Sequence, residues 1–432
     1  GPAMAGLQTL LPPEVLAHVA LYVGEKYHPV RPYLTDLLAL RCACKAGKKA
    51  VERAAREHKA VEVIGFRDGA SAQAIQTFGR YFGSGCRTLD LGFGSKHMLA
   101  IRDFVVSDTR GQLRELRIKF SGSTLSRDVL MEMCRGCRQL RVFDASSDAP
   151  CLNGPTKGAN LADFASELSR ACPLLEDVRL RSNLLSAAET YAMHFPRLKC
   201  LSFRAQDPEG YEPTCYDQIE VTLRTCAHVD HVWLTDCIVS PALVDLLLRS
   251  PIRGRLRKLV VRGYAEISPE LILQCARGFE TMTVLYLPDG EVFSAEPEFY
   301  HDLAQARPTI KAFDPGWGSE IDDAGLRFIC EGCRLEELVL SSTENLSSDA
   351  IEAILQTPTA QTLRKLYFYG NHQFTSAAML RLFRGCPQLA DFVWETDDDD
   401  SCPIEDGPHD EILRLIKSRG GKRRKWFKPW VE

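Results

Sequence analysis

The chain has 432 residues, 45% hydrophobic and 25% charged, a composition that supports a sizeable folded core. Its net charge of −4 excludes bulk electrostatic binding to nucleic acid or to a membrane surface. No apolar run approaches the roughly 18 residues of a membrane span, and the first residues lack the basic-then-apolar order of a secretory signal.

Gly1-Pro2 reads as a protease-cleavage scar, with Met4 the expected native start. Residues 7–58 then read as a small helical module. Val15, Leu16, Val19, Ala20 and Val23 fall at helical spacing on one face, and Pro12 or Pro13 suits a helix start. A polar loop, Gly24–Thr35, leads to a second helical segment, Asp36–Ala50. Leu11, Pro12, Glu14, Val15 and Leu16, followed by Leu37, Leu40, Cys44 and Lys45, make this module resemble an F-box. Gly47 stands where that family usually has tryptophan. The resemblance implies docking on a Skp-type adaptor of a cullin–RING ubiquitin ligase through Leu11, Pro12, Val15, Leu16, Val19, Leu37 and Leu40. The alternative is an N-terminal cap that covers the exposed core of the first repeat.

From 61 to 397 one pattern recurs: apolar, two variable residues, apolar, one variable, apolar. It starts at Cys86, Leu113, Leu140, Leu175, Leu198, Val229, Leu256, Met282, Ile310, Leu335, Leu363 and Leu389, at intervals of 23 to 35 residues. Alternation turns the apolar residues inward and the variable ones onto an outer sheet face. Helices are predicted between strands, among them Ser126–Cys137, Leu161–Cys172, Tyr216–Cys226, Pro269–Arg277, Asp322–Cys333, Ser347–Gln356 and Ser376–Cys386. Ser126, Ser240, Ser268, Asp322, Ser347 and Thr375 are the expected caps. A strand and a helix repeated about twelve times predict an α/β horseshoe solenoid with a concave parallel sheet. Cys172-Pro173-Leu174-Leu175 and Cys386-Pro387-Gln388-Leu389 make the array resemble the cysteine-containing, ribonuclease-inhibitor-like class of leucine-rich repeats. Three repeats carry longer insertions, Ala145–Asn160, Ala205–Cys215 and Pro288–Pro297; the first two are rich in Gly, Pro and Asp, which suits loops projecting from the strand ends.

Cys134, Cys137, Cys172, Cys226, Cys275, Cys330, Cys333 and Cys386 fall where predicted helices end, a packing place for a small hydrophobe. Sixteen cysteines so spread argue for a reducing compartment, cytoplasmic or nuclear, rather than a disulfide framework. The pairs Cys134–Cys137 and Cys330–Cys333 lie about 190 residues apart, and no metal site is expected from them. There is no phosphate-cradling loop, dinucleotide fingerprint or HExxH pair, so a recognition role is expected rather than catalysis.

The outward strand positions are basic in the earlier repeats (Arg117, Lys119, Arg179, Arg181, Arg204, Lys258, Arg262). Trp233 follows His231 between the halves, and later repeats add Tyr286, Tyr367 and Tyr369 among acidic residues. These side chains are the expected contacts for a protein substrate. The arginines could also hold a carboxylate, an inositol phosphate or another polyanion, as in the plant hormone receptors that share this architecture. Residues 398–432 form an acidic and then basic, aromatic tail or cap, with Lys422-Arg423-Arg424-Lys425 ahead of Trp426, Phe427 and Trp430. Three functions stay open: substrate receptor of a ubiquitin ligase, stand-alone interaction scaffold, and polyanion sensor. In each case the chain is expected to be monomeric outside its complex.

Overall fold

The computed structural model describes residues 63–66, 76, 86–91, 98–109, 111–118, 127–145, 159–180, 194–204, 215–235, 237–263, 265–369, 374–395 and 406–419. The module at 7–58 lies outside them, with its adaptor residues Leu11, Pro12, Val15, Leu16, Val19, Leu37 and Leu40. So do Lys119, Arg181, the cap Ser126, most of the first two insertions, and the basic-aromatic segment Lys422–Trp430.

The chain divides into two compact units, 1–198 and 199–432. The first carries β1 (Val63–Phe66), β2 (Thr88–Leu91), β3 (Glu115–Ile118), β4 (Val142–Ala145) and β5 (Asp177–Leu180). They pair in parallel in chain order, with α1 (Met98–Asp103), α2 (Arg127–Arg135) and α3 (Ala159–Ala171) between them. The second unit repeats the plan through β6 (Cys200–Arg204), β7 (His231–Thr235), β8 (Lys258–Arg262) and β9 (Val284–Tyr286). It continues with β10 (Ala312–Asp314), β11 (Glu337–Ser341), β12 (Lys365–Tyr369) and β13 (Asp391–Glu395), again parallel and in order. Its helices are α4 (Cys215–Thr225), α5 (Pro241–Arg249), α6 (Pro269–Gly278), α7 (Pro297–Ala306), α8 (Asp323–Gly332) and α9 (Asp349–Leu355). The short α10 (Thr359–Thr362), α11 (Ser376–Gly385) and α12 (Asp406–Ser418) follow. Each unit is thus a leucine-rich-repeat solenoid.

Twelve of the described strands begin two residues after the twelve pattern starts, and β1 adds one strand ahead of them. All twelve starting residues, Cys86 to Leu389, are at most 2% exposed. They form the core line between sheet and helices. One backbone device repeats from β2 to β5 and again from β6 to β13. The carbonyl before a strand accepts two amides of the next repeat, as Arg87 does from Arg114 (2.7 Å) and Glu115 (3.0 Å). Glu336 does the same for Arg364 (2.9 Å) and Lys365 (3.0 Å), which holds the register constant.

The helix starts follow their residue types. Ser240, Ser268, Asp322 and Thr375 each accept the amide three residues on, from Leu243, Leu271, Gly325 and Ala378. Pro241, Pro269 and Pro297 occupy first helical positions, where a missing N–H costs nothing. Ser347, expected as a cap, stands one residue outside the cap position. Its hydroxyl accepts from the Asp349 amide at 3.0 Å and donates to Asp323 of the preceding helix.

Helix ends carry an inter-repeat tie. The residue after the helix donates to carbonyls at the end of the helix before it. Cys172 Sγ reaches the Cys134 carbonyl at 3.2 Å, and Cys333 Sγ reaches that of Arg307 at 3.6 Å. Arg307 itself, 9% exposed, donates to Ala276 and Glu280 at 2.8 Å and to Arg277 at 3.3 Å. Arg419, after α12, serves Phe383 (2.7 Å), Cys386 (2.9 Å) and Leu389 (3.0 Å). With Ile412 and Ile416 buried, α12 packs on α11 as one more helix of the layer.

The insertion Pro288–Pro297 is packed rather than projecting. Phe293 is buried, with its ring 5.7 Å from that of Phe299. The Gly290 amide donates to the Trp317 carbonyl at 2.6 Å, so the loop lies against the next repeat's turn.

Candidate functional site

Constant register aligns the outward positions into columns. In the first unit, Arg117 sits opposite Asp144, and Asp144 opposite Arg179. Arg117 bonds Glu115 on its own strand at 3.2 Å. Arg179 bonds Asp177 at 2.8 Å, with Asp144 3.9 Å away. Both guanidiniums face carboxylates of the same sheet.

In the second unit, four of the expected contact residues meet on β7, β8 and β9. The Lys258 ammonium lies 4.9 Å from the centre of the Trp233 ring and 5.1 Å from that of Tyr286. Arg262 stands over the same tyrosine at 5.2 Å, so one ring serves two cations. The Tyr286 hydroxyl donates to Glu337 Oε1 at 2.9 Å, and Lys365 Nζ reaches Glu337 Oε2 at 2.9 Å. Burial, reinforced by the Glu337 charge, pushes the Tyr286 phenol up, so it stays a hydrogen-bond donor.

Beneath this lattice, Arg262 pairs with Asp314, two strands away and fully buried. Asp314 also accepts the Gly316 amide at 2.8 Å. Burial pushes the Asp314 carboxyl up and the Arg262 charge opposes it; Asp289 is raised by burial in the same neighbourhood. An arginine expected to meet a ligand is therefore 7% exposed and held by an internal partner.

Tyr367 shares its column with Val339 and Val393, both buried, and stands half-buried between them. Arg204 and Tyr369 lie in β6 and β12, but their side chains are outside the described residues. Glu337, Lys365 and Asp314 are not among the contacts expected from the sequence. They are the groups that fix Tyr286 and Arg262. The face is thus a charge-matched floor with Trp233, Tyr286 and Tyr367 at its level, chemistry suited to the centre of a protein interface.

Among the described residues, no helix is long and apolar enough to cross a membrane, and no group of three or more His, Cys, Asp or Glu could hold a metal ion. No family model matches the chain, and no curated protein matches it. Among solved structures it is similar to the yeast Rad7–Elc1 complex at 14% identity, over 90% of this chain and 92% of that one, with a TM-score of 0.45. An internalin, InlF of Listeria monocytogenes, is 13% identical over 81% and 83% with a TM-score of 0.34. The leucine-rich-repeat protein LegL7 of Legionella pneumophila is 12% identical over 84% and 98% with a TM-score of 0.39. These likenesses are slight, and the fold of this chain rests on its own strand order and register: two units built of leucine-rich repeats.

Proposed function

We propose that the chain recognises a protein partner on the sheet face of its second unit and presents it to a cullin–RING ubiquitin ligase. The observation that carries the recognition half is the lattice of Trp233, Lys258, Tyr286, Glu337 and Lys365. These groups are oriented before any partner arrives, so little side-chain freedom is lost on binding. The ligase half rests on the F-box resemblance of Leu11–Leu16, Leu37 and Leu40. In this role the chain supplies proximity, catalysis belongs to other subunits, and the work is done in the cytoplasm or nucleus.

A polyanion sensor has less support, because Arg117, Arg179 and Arg262 already face carboxylates of the sheet. Co-purification with a Skp-type adaptor tests the ligase reading. A one-to-one complex is expected, abolished by Leu16→Asp or Leu11→Asp. Failure of the wild-type chain to bind any such adaptor would sink that half and leave a stand-alone scaffold.

A further inference from the structure

On the helix side of the second unit, a cleft of about 340 Å³ opens between the C-terminal parts of α7 and α8. Ala304 and Gly332 close its floor, where a Cβ on Gly332 would lie 2.5 Å from that of Ala304. The half-buried Phe328 is one wall, its ring edge-to-face with His301 at 5.2 Å. Glu331 stands exposed on the α8 rim. The helices around it are acidic. α7, α8 and α9 carry six carboxylates, Glu298, Asp302, Asp323, Glu331, Asp349 and Glu352, against one arginine, Arg327, which does not line the cleft. Ser347 holds Asp323, and Arg381 holds Glu352. Among the described residues the other four bond no lysine or arginine; Asp302 lies 3.5 Å from His301.

We propose that this cleft receives an arginine side chain of a protein partner, with the guanidinium flat against Phe328 and forked onto Glu331. Three features select that occupant. The lining holds a carboxylate and neither lysine nor arginine, and it lies where two helices present their partial negative ends, so the guest is a cation. The floor is closed and the wall is a ring, which suits a planar cation that stacks better than a compact, strongly hydrated ammonium. An apolar guest would cover Glu331 and strip its water without a partner in exchange, whereas a guanidinium returns two charge-assisted bonds. The cleft belongs to the helix layer, not the sheet face, so this contact is a second one. It stands or falls independently of the sheet-face reading.

Fluorine NMR of the full chain, with 4-fluorophenylalanine placed at Phe328, tests this. The probe is the acetylated and amidated peptide Gly-Gly-Arg-Gly-Gly, which should move the resonance saturably. A lysine peptide should bind about tenfold more weakly, and the neutral citrulline peptide should leave the resonance in place. Glu331→Gln should weaken arginine binding about tenfold, and Glu298→Gln, near the start of α7, less than about twofold. Both glutamates are exposed, so the variants keep the fold. The basic residues Lys422, Arg423, Arg424 and Lys425 of the same chain are the competing occupant, and replacing all four by serine should not shift the starting resonance. The proposal is overturned by no shift up to about 10 mM arginine peptide, or by equal binding of the citrulline peptide. It is equally overturned by an affinity indifferent to Glu331→Gln, or by a resonance that the four serines displace.

Discussion

Arg307 occupies the position after α7 that cysteine takes after α3, α8 and α11. A guanidinium there satisfies three carbonyls at the end of α6 where a thiol reaches one or two. Burial lowers its pKa from the ordinary arginine value, yet the group stays charged. Arg307→Ala leaves those carbonyls without their donor. Bonds from a charged donor contribute about 1.5–3 kcal/mol each, and part of the loss returns through water, so a destabilisation of about 3 kcal/mol is expected in urea titration. Arg307→Cys should recover part of it by restoring the usual residue of the position. An unshifted midpoint for the alanine variant would show that the tie contributes nothing. In the sequence, Arg307 reads as a surface charge before a strand; its role depends on carbonyls about 30 residues earlier, which no local pattern announces.

At the scale of elements, the strands were the legible part, because alternation and a long period come from the same buried line. β1 carries that spacing too, in Val61, Ile64 and Phe66, although Gly65 weakens it as a strand signal. The packed insertion after β9 was not legible, since it depends on two glycines meeting a neighbouring repeat. Gly316 has φ +98°, and a Cβ there would lie 1.7 Å from the Pro288 carbonyl oxygen. A Cβ on Gly290 would meet the Gly318 oxygen at 2.0 Å. Gly316→Ala therefore combines a disfavoured backbone with a collision against main chain, and should cost at least about 3 kcal/mol. Gly254→Ala, with open space around it, should stay within about 0.5 kcal/mol. Equal melting temperatures for the two variants would contradict the packed loop.

For the whole molecule, the candidate site was half legible. Which residues face outward follows from alternation, so Trp233, Lys258 and Tyr286 could be named. Which cations are already committed does not follow, because Arg262 meets Asp314 across an intervening strand and 52 residues of sequence. The cysteines show the reverse. Their place at helix ends was readable, and the structure adds a consequence of having so many there. Burial pushes the thiols of Cys137, Cys275, Cys333 and Cys386 up to about 12 and that of Cys226 to about 11, from 9.0. Cys86 rises to about 12 and Cys330 also rises, both by burial. Cys134 is raised first by its hydrogen bond with Cys172.

Well below pH 9, at about pH 7, folded and unfolded chains hold the same thiol protons, and these groups leave stability unchanged. Above it the unfolded chain ionises while the folded chain does not, so stability falls until the folded pKa is reached. At pH 10 each thiol held near 11 or 12 contributes a loss of about 1.4 kcal/mol, and the six together on the order of 8 kcal/mol. That equals the whole stability of an ordinary domain. The solenoid should therefore unfold cooperatively between pH 9 and about 10.5, with iodoacetamide labelling of these cysteines rising at the same pH. The second unit, with five of the eight, should be labelled first, and Cys275→Ala should remove about one proton from the dependence. A melting temperature that stays flat from pH 8 to 10, with the thiols still unlabelled, would show that these buried cysteines do not set the alkaline limit.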